Sequence, residues 1–373
     1  MSDPGGGGSG GSGGERACDA CVARSWLIGR LAGHLERARS RIDQVLALGV
    51  DDLIDAIGGR EKARLEREFE TLDVGEVRVR VRAAGLDAVC GCDPAYPAGL
   101  RALAAPPAVL YVAGGLERLR DLLDEEPVAI VGARKASPYG LDVARSLGRG
   151  LAVAGVTVVS GMAHGIDSAA HAGALDAGMP TVAVLPGPAD RPYPAGQRGL
   201  HRRIVAGGGA ASEIAPGTKV WRWMFPARNR IIAALSSMTV VVEAGERSGS
   251  LVTARLAREI RRPVGAVPGR VTTPQAAGSN ALLASGDASM VRGPQDVLDH
   301  LFGAGERLAP EPGREPPSEL RPLLNAIAEG YETAAGALAR AGFEPDKGLA
   351  ALAALELDGF VRRVAGGRFH VVP

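Results

Sequence analysis

The sequence of 373 residues has almost no net charge and few aromatic side chains. Lysine and arginine number 43 and aspartate and glutamate 42, which gives a formal charge of +1. This balance argues against a globally basic nucleic-acid binder of the histone type, although a local basic surface stays possible. With 52 glycines beside three tryptophans, five tyrosines and six phenylalanines, the composition predicts tight turns and close helix–sheet packing.

The sequence also lacks long hydrophobic runs. No stretch of 18 apolar residues occurs, so a membrane-spanning helix is not expected. The Gly/Ser-rich N-terminus has no basic region followed by an apolar stretch, so it does not resemble a secretory signal. We therefore expect a cytoplasmic protein.

Cysteine is scarce as well, with four residues in two close pairs: Cys18 with Cys21, and Cys90 with Cys92. A disulfide framework is not expected in a cytosolic chain. Two such pairs could hold a zinc ion, but one residue between Cys90 and Cys92 is tighter than the usual ligand spacing. The pattern favours ordinary thiols, so we predict no metal and no cofactor and leave zinc as an open alternative.

Composition and periodicity divide the chain into five regions. We predict a disordered Gly/Ser tail over 1–16, a small helical (SAM-like) domain over 17–87, a core with an N-terminal connector over 88–305, a linker over 306–318, and a last domain over 319–373. Within the helical domain, residues 77–82 alternate valine and arginine, which taken alone is a strand signal. Because this segment is short and isolated, its state stays open.

The core alternates short apolar runs with amphipathic helical patterns. This alternation predicts an α/β fold with a Rossmann-like, doubly wound, mostly parallel sheet. In the last domain, helical patterns over 319–328, 333–341 and 346–357 precede two strands around Gly366-Gly367. Three helices followed by a hairpin indicate a winged-helix-like domain.

Small polar loops follow the apolar runs, at the sheet edge where α/β proteins bind ligands. They start at Gly132, Ser160, Pro186 and Glu243, and three of them open helices, whose free N–H groups attract anions. No dinucleotide-binding glycine fingerprint and no Walker A motif are present. The candidate phosphate contacts are Gly132, Arg134, Lys135, Ser137, Ser160, Gly161, Ser248, Gly249 and Ser250.

The segment from Pro186 to Arg230 concentrates positive charge. It holds eight lysines and arginines against Asp190 and Glu213, so its net charge is +6. It also holds Tyr193, Trp221, Trp223 and Phe225. Cations interleaved with rings suit single-stranded nucleic acid, because cations track phosphates and rings stack on bases. The alternative is a solvated basic face with the tryptophans in the core.

No convincing catalytic constellation is present, and we predict no catalytic residue. Ser160 lacks the surroundings of a nucleophile elbow. Asp167 and His171 lie one helical turn apart and are more typical of a helix cap and its partner. Glu243 is the best lone acidic candidate, with acceptance of hydrogen bonds from a helix-starting loop as the simpler interpretation.

An ordered series of motifs over 88–300 resembles the DNA-processing protein A (DprA/Smf) family. It includes Gly132-Ala-Arg134, Ser160-Gly161-Met-Ala163-x-Gly165-Ile166-Asp167, Phe225-Pro226-x-Arg228-Asn229-Arg230 and Ser248-Gly249-Ser250-Leu251. The front and last regions are similar to extended family members by weaker patterns.

The resemblance implies a non-enzymatic homodimer that binds single-stranded DNA and loads a RecA-type recombinase in DNA uptake, natural transformation and homologous recombination. Carried over to matching positions, it implies DNA contacts by Arg134, the Ser160-Gly161 loop, Arg222, Phe225, Arg228, Asn229 and Arg230.

Two departures from the family pattern stand at Gln197, often Asn or His, and at Arg222, often Lys. Residues 319–373 carry six basic and seven acidic residues, which argues against a strong DNA-binding wing and favours an accessory or partner role. The main alternative is a nucleotide-processing enzyme of the phosphoribohydrolase-like Rossmann type. A pure interaction scaffold is the third possibility.

Overall fold

The structure is a computed structural model that describes residues 15–309, 316–364 and 366–371. The predicted tail up to residue 14 and the linker residues 310–315 lie outside the described residues. Glu15 and Arg16, which the sequence assigned to the tail, form a short strand that pairs with Ala88 and Val89. The sheet therefore begins before the helical region does.

The front region is helical, as predicted, and supplies six α-helices. They are α1 (Asp19–Arg30), α2 (Ala32–Leu35), α3 (Ile42–Leu46), α4 (Val50–Ile57), α5 (Lys62–Glu70) and α6 (Val74–Ala83).

The alternating segment left open by the sequence is helix α6. The carboxylate of Asp73 caps it by accepting hydrogen bonds from the N–H groups of Gly75 (2.7 Å) and Glu76 (3.4 Å). Val77 and Val81, four residues apart, share the buried face, whereas Val79 is 54% exposed. A period of two places every second valine on the same helix face, so the strand signal was misleading.

The core is a ten-stranded, mostly parallel sheet in the order β1-β2-β3-β7-β6-β5-β4-β8-β9-β10. Its strands are β1 (Glu15–Arg16), β2 (Asp87–Val89), β3 (Leu110–Ala113), β4 (Val128–Val131), β5 (Val158–Ser160), β6 (Thr181–Val184), β7 (Gly209–Ser212), β8 (Met238–Val241), β9 (Val264–Ala266) and β10 (Ser289–Met290). Strand β3 runs antiparallel to β2 and β7, and the other pairs are parallel. The predicted fold class is confirmed.

Helices cover both faces of this sheet. They are α7 (Leu116–Leu123), α8 (Pro138–Val153), α9 (Ile166–Asp176), α10 (Arg198–Gly207), α11 (Met224–Ala234), α12 (Gly249–Glu259), α13 (Ala277–Ala284) and α14 (Pro294–Phe302). In β4, Ala129 and Val131 face one hydrophobic core and Val128 and Ile130 the other, so the strand is buried on both sides. Strand β7 and helix α10 were not predicted, because no strand or helix was assigned between Pro186 and the start of α11.

Trp223 joins the helical front region to the core. Its side chain is fully buried, and its Nε1–H donates to the carbonyl oxygen of Ala32 at 2.9 Å. Its backbone N–H donates to a Glu36 carboxylate oxygen at 3.2 Å. Trp223 directly precedes α11. The core interpretation therefore holds for Trp223.

The last region contains α15 (Arg321–Ala328), α16 (Ala334–Ala341) and α17 (Pro345–Leu357), followed by the hairpin β11 (Val361–Val364) and β12 (Arg368–Val371). Its own hydrophobic core includes Leu323, Leu352 and Phe369. This is the predicted winged-helix arrangement. Arg362 on β11 forms an ion pair with Asp142 in α8. Among the described residues, no helix is long and apolar enough to cross a membrane.

Candidate functional site

A cleft of about 360 Å³ opens where the strand order reverses direction. Strand β4 has β5 on one side and β8 on the other, so the loops that follow these strands diverge at their carboxyl ends. Ligands of α/β sheets bind at such switch points. The cleft is lined by Val131, Gly132, Arg134, Ala163, Asp167, Phe225, Pro226, Arg228, Asn229, Ile232, Ser248, Gly249, Ser250, Val252 and Thr253.

Close backbone contacts hold the loops of the cleft together. Gly165 has φ 83°, and a Cβ atom there would collide with the carbonyl oxygen of Ala133. Only glycine fits, because the conformation is left-handed and no space exists for a side chain. The N–H of Ala133 donates to the carbonyl oxygen of Glu243 at 2.7 Å. The loops after β4, β5 and β8 therefore form one connected rim.

Arg134 and Phe225 form one wall of the cleft. The Arg134 guanidinium lies over the Phe225 ring, 5.0 Å from its centroid, and the Tyr193 ring meets Phe225 edge-on at 5.3 Å. Arg134 is exposed and has no carboxylate partner within the described parts of the chain. A small recess behind this wall is lined by Tyr193, Pro194, His164 and Gly161. The predicted cation and ring are thus adjacent.

Arg228 and Asp167 lie at the floor of the cleft and are both buried. Arg228 Nη1 donates to the carbonyl oxygens of Gly161 and Val184, both at 2.7 Å, and its Nε donates to the Asn229 side-chain oxygen at 3.2 Å. Its Nη2 has no hydrogen-bond partner in the described segments. Burial lowers the pKa of Arg228 to about 10, so the guanidinium stays charged at neutral pH.

The Asp167 carboxylate closes the loop after β5. It accepts hydrogen bonds from the N–H groups of Gly161 (3.1 Å) and Ala163 (3.4 Å), which flank Met162 at φ 54°. Two successive N–H groups around a left-handed residue form an anion-binding concavity, and here Asp167 fills it. Burial raises the pKa of Asp167, against the opposing effects of Arg228 and the two N–H groups.

Helix α12 begins at the cleft with three candidate phosphate contacts. Ser248 caps the helix, and its hydroxyl lies 2.7 Å from that of Ser250. The side-chain amide of Asn229 donates to the carbonyl oxygen of Gly249 at 3.2 Å and so ties α11 to this helix start. An 11-residue helix that points its N-terminus into a cleft favours an anion there.

Glu243 has the simpler of its two predicted roles. Its carboxylate accepts hydrogen bonds from the N–H (2.9 Å) and the hydroxyl (2.5 Å) of Ser137, the residue that caps α8. The polar groups of Ser137 are therefore hydrogen-bonded within the protein, and neither residue lines the cleft. This buried carboxylate fixes the start of α8 rather than facing a ligand.

Ser160 and His171 also have structural roles. The Ser160 hydroxyl is buried and donates to the carbonyl oxygen of Ile130 at 2.6 Å, so this polar group is used within the protein. A DNA contact by the Ser160-Gly161 loop stays a prediction. His171 pairs with Thr181 (Nδ1 to Oγ1, 2.8 Å) and not with Asp167 as the one-turn spacing suggested. Burial lowers the pKa of His171 to about 3, so its ring is neutral.

The structure separates the predicted arginines. Arg230 is buried and paired with Glu213 at 2.5 Å, and it does not line the cleft. The predicted DNA contact of Arg230 stays a prediction, and its guanidinium is engaged by Glu213 in this conformation. Lys135 and Arg222 are exposed but lie outside the cleft lining. Gln197 donates a hydrogen bond to the Ser168 hydroxyl.

Some lining residues escaped the sequence interpretation. Ile232, Val252 and Thr253 come from the faces of α11 and α12, and an apolar residue within a helix gives no local signal that it borders a cleft. Pro194 and His164 reach the recess only because two loops approach each other.

A family model described as DNA recombination-mediator protein A matches residues 87–302, more than half of the chain. The chain belongs to this family. The match covers the sheet from β2 to β10 and every residue of the cleft. The family recognised from the motifs is thus confirmed, and with it a part in DNA processing and recombination.

Relatives extend the likeness beyond the family model. The DNA processing protein DprA of Mycobacterium tuberculosis is 41% identical over 274 residues, which are 71% of this chain and 69% of that protein. The crystal structure of DprA from Streptococcus pneumoniae is 32% identical with a TM-score of 0.61, over 76% of this chain and 98% of that one. DNA processing protein A from Helicobacter pylori, a structure described for its single-stranded DNA binding mode, is 31% identical with a TM-score of 0.52, over 58% and 95%.

Proposed function

We propose that the cleft binds single-stranded DNA and that the protein then promotes loading of a RecA-type recombinase. The observation that carries the binding step is the exposed Arg134 guanidinium stacked on Phe225 beside the start of α12. This arrangement offers a cation and a ring to neighbouring parts of one nucleotide chain.

Phosphate groups would be held by three kinds of donor. Arg134 contributes an exposed charge, α12 contributes the N–H groups and hydroxyls of Ser248–Ser250, and Arg228 contributes Nη2. Gly132 and Gly161 let the backbone approach closely. Lys135, Asn229 and Arg222 extend the contact region, whereas Ser137, the Ser160 side chain and Arg230 are left out because their polar groups are occupied within the protein.

A base would stack on Phe225. Its ring is half-buried and supported edge-on by Tyr193, so little side-chain freedom is lost on binding. Stacking on aromatic rings is sequence-tolerant because every base has a π-face. We therefore expect weak sequence preference and a strong preference for single over double strands.

The role in recombination rests on the family. A mediator must bring single-stranded DNA and a recombinase together, and the relative from Helicobacter pylori is described as binding single-stranded DNA. We propose the same substrate for this chain, in a homodimer that acts in DNA uptake and homologous recombination without covalent chemistry. Glu243 and Asp167 fit this proposal, since both carboxylates are engaged by the protein itself.

The binding proposal is tested by fluorescence anisotropy with a labelled oligonucleotide across a salt series. Arg134→Ala should weaken binding and reduce the slope of log affinity against log salt by about 0.7, the value for one single-strand phosphate contact. Arg149→Ala is the matched control, because Arg149 is exposed on α8 away from the helix start. Equal slopes for both variants and the wild type would remove Arg134 from the site.

A second experiment separates binding from mediation and from enzymatic activity. Recombinase filament formation on single-stranded DNA should be faster with the protein than without it, and Arg134→Ala should reduce this effect together with DNA binding. Release of free base from nucleoside monophosphates would instead favour the phosphoribohydrolase-like alternative.

A further inference from the structure

The four cysteines of the chain converge on one point at the edge of the sheet. Cys18 precedes α1, and Cys21 lies in the first turn of that helix. Cys90 and Cys92 follow β2, which pairs in parallel with β1. Strand pairing thus places the two cysteine pairs side by side, although about 70 residues of chain separate them.

The distances between the sulfur atoms match a single tetrahedral ion. All four Sγ atoms lie within 4.8 Å of one another. Cys18 Sγ is 3.8 Å from Cys92 Sγ and 3.9 Å from Cys90 Sγ. A zinc ion bound by four thiolates at about 2.3 Å requires sulfur–sulfur edges of about 3.8 Å. We propose that Cys18, Cys21, Cys90 and Cys92 form a structural zinc site.

Neighbouring groups suit the charge of such a site. Four thiolates around one divalent zinc leave two negative charges, which N–H donors and cations stabilise. The N–H of Cys18 donates to Cys90 Sγ at 3.3 Å. Arg101 donates to the carbonyl oxygens of Gly91 (2.5 Å) and Asp93 (2.9 Å), on either side of Cys92. Arg78 donates to the carbonyl oxygen of Ala17 at 2.7 Å and also pairs with the Asp19 carboxylate at 2.6 Å.

The same distances distinguish this site from a disulfide and from a cluster of several irons. A disulfide needs its sulfurs about 2.0 Å apart, closer than the measured pairs. A cluster of several irons spreads its cysteine ligands farther than one ion does. Cys90 is fully buried and Cys21 half-buried, whereas Cys18 and Cys92 reach the surface, so an ion can enter from solvent.

The site would fasten the helical front region to the first strands of the sheet. Besides the proposed metal, the pairing of two residues of β1 with β2 and a hydrophobic core that includes Val22, Val77 and Tyr111 hold this corner. Binding of a structural zinc ion contributes directly to folding free energy. Because the corner does not include the cleft, zinc loss should lower thermal stability and leave the single-strand affinity of folded protein unchanged.

Metal content of the full-length protein tests the proposal. Protein purified under reducing conditions should contain about one zinc per chain, and chelator-treated protein should take up about one Co²⁺ with the absorption of tetrahedral tetrathiolate cobalt. Cys92→Ser should reduce metal content and lower the melting temperature. Ala20→Ser is the matched control, because it adds a hydroxyl at an exposed position inside the Cys18–Cys21 turn and keeps all four thiols.

Three results would overturn the site. One is metal-free protein that, after reduction, takes up neither Zn²⁺ nor Co²⁺ and shows four freely reactive thiols. Another is iron in place of zinc, and the third is equal metal content in Cys92→Ser and Ala20→Ser. DNA binding is measured separately, so failure of the zinc site leaves the proposed cleft untouched.

Discussion

Arg134 and Arg230 were both predicted to hold DNA, yet the fold uses them in opposite ways. Arg134 is exposed, stacks on Phe225 and has no acidic partner among the residues of the described segments. The Arg230 side chain is 3% exposed and lies 2.5 Å from a Glu213 oxygen. Its Nε and Nη1 are buried and have no hydrogen-bond partner among the described residues. Exposure and the lack of an acidic partner therefore separate Arg134 from Arg230.

Helix geometry explains how neighbouring arginines separate. Arg228 and Arg230 lie two residues apart on α11, which turns their side chains about 200° from each other around the helix axis. Arg228 therefore reaches the cleft, and Arg230 points to the opposite side, towards Glu213. Because both are buried, neither resembles the solvated basic face that the +6 segment allowed.

The largest effect is expected from breaking the buried pair. Glu213→Gln should lower the free energy of unfolding by about 3–5 kcal/mol, because it leaves the Arg230 charge buried without its partner. Urea unfolding measures this change, and single-strand affinity of the folded variant should be unaltered. Glu259→Gln is the control, since it breaks an exposed pair with Arg255 worth about 0.2–1 kcal/mol. Equal losses would contradict a structural role for Arg230.

The next largest effect is expected on DNA binding, from the ring that supports the exposed Arg134. Phe225→Ala should weaken oligonucleotide binding by about 5- to 150-fold, the equivalent of 1–3 kcal/mol of base stacking. Tyr331→Ala removes an exposed ring in the last domain and should leave affinity unchanged. If Phe225→Leu bound as tightly as wild type, hydrophobic support of Arg134 rather than stacking would explain the ring.

The buried His171 makes the free energy of unfolding depend on pH. Its folded pKa of about 3 lies below the ordinary value of 6.5, so the unfolded chain binds a proton that the folded protein does not. Its contribution to stability is present above pH 6.5 and is lost as pH falls towards 3, at about 1.4 kcal/mol per pH unit. In urea unfolding, His171→Asn should reduce the dependence of the free energy of unfolding on pH below 6.5. His300→Gln, which removes an exposed histidine, is the control and should leave this dependence unchanged. An unchanged slope would contradict this assignment.

The smallest effect is expected for Lys135. It is exposed but outside the cleft lining, so Lys135→Ala should weaken binding by less than about fivefold and reduce the salt slope by no more than about 0.7. Lys347→Ala, in the last domain, is the matched control. A larger loss than for Arg134→Ala would move the DNA path away from Phe225.

Much of the fold could be predicted because its signals are local. Runs such as Val128–Val131, buried on both faces, identify parallel strands without any knowledge of their neighbours. The valine–arginine alternation in α6 was ambiguous, since Val77 and Val81 satisfy a period of two and a helical face equally well. Strand β7 was missed because Gly209–Ser212 contains only small residues and no β-branched side chain.

The candidate site divides in the same way. The loops that follow β4, β5 and β8 could be placed at one sheet edge from their order in the chain. Phe225 could be predicted as a stacking ring from the basic aromatic segment. The hydrogen bonds of Ser137, Ser160 and Arg230 could not be predicted, because their partners lie far away in the sequence. These partners are, respectively, Glu243, the carbonyl oxygen of Ile130, and Glu213.

The sequence by itself determined the alternation of apolar strands with helices in the core, the glycine-rich loops and a basic segment within an almost neutral chain. These features follow from side-chain volume, polarity and backbone preference at neighbouring positions. Only the tertiary structure decided which arginines stay in solvent and that the four thiols share one corner. Burial and pairing depend on contacts between residues far apart in the chain, such as Cys18 with Cys90 and Cys92, and no local pattern records them.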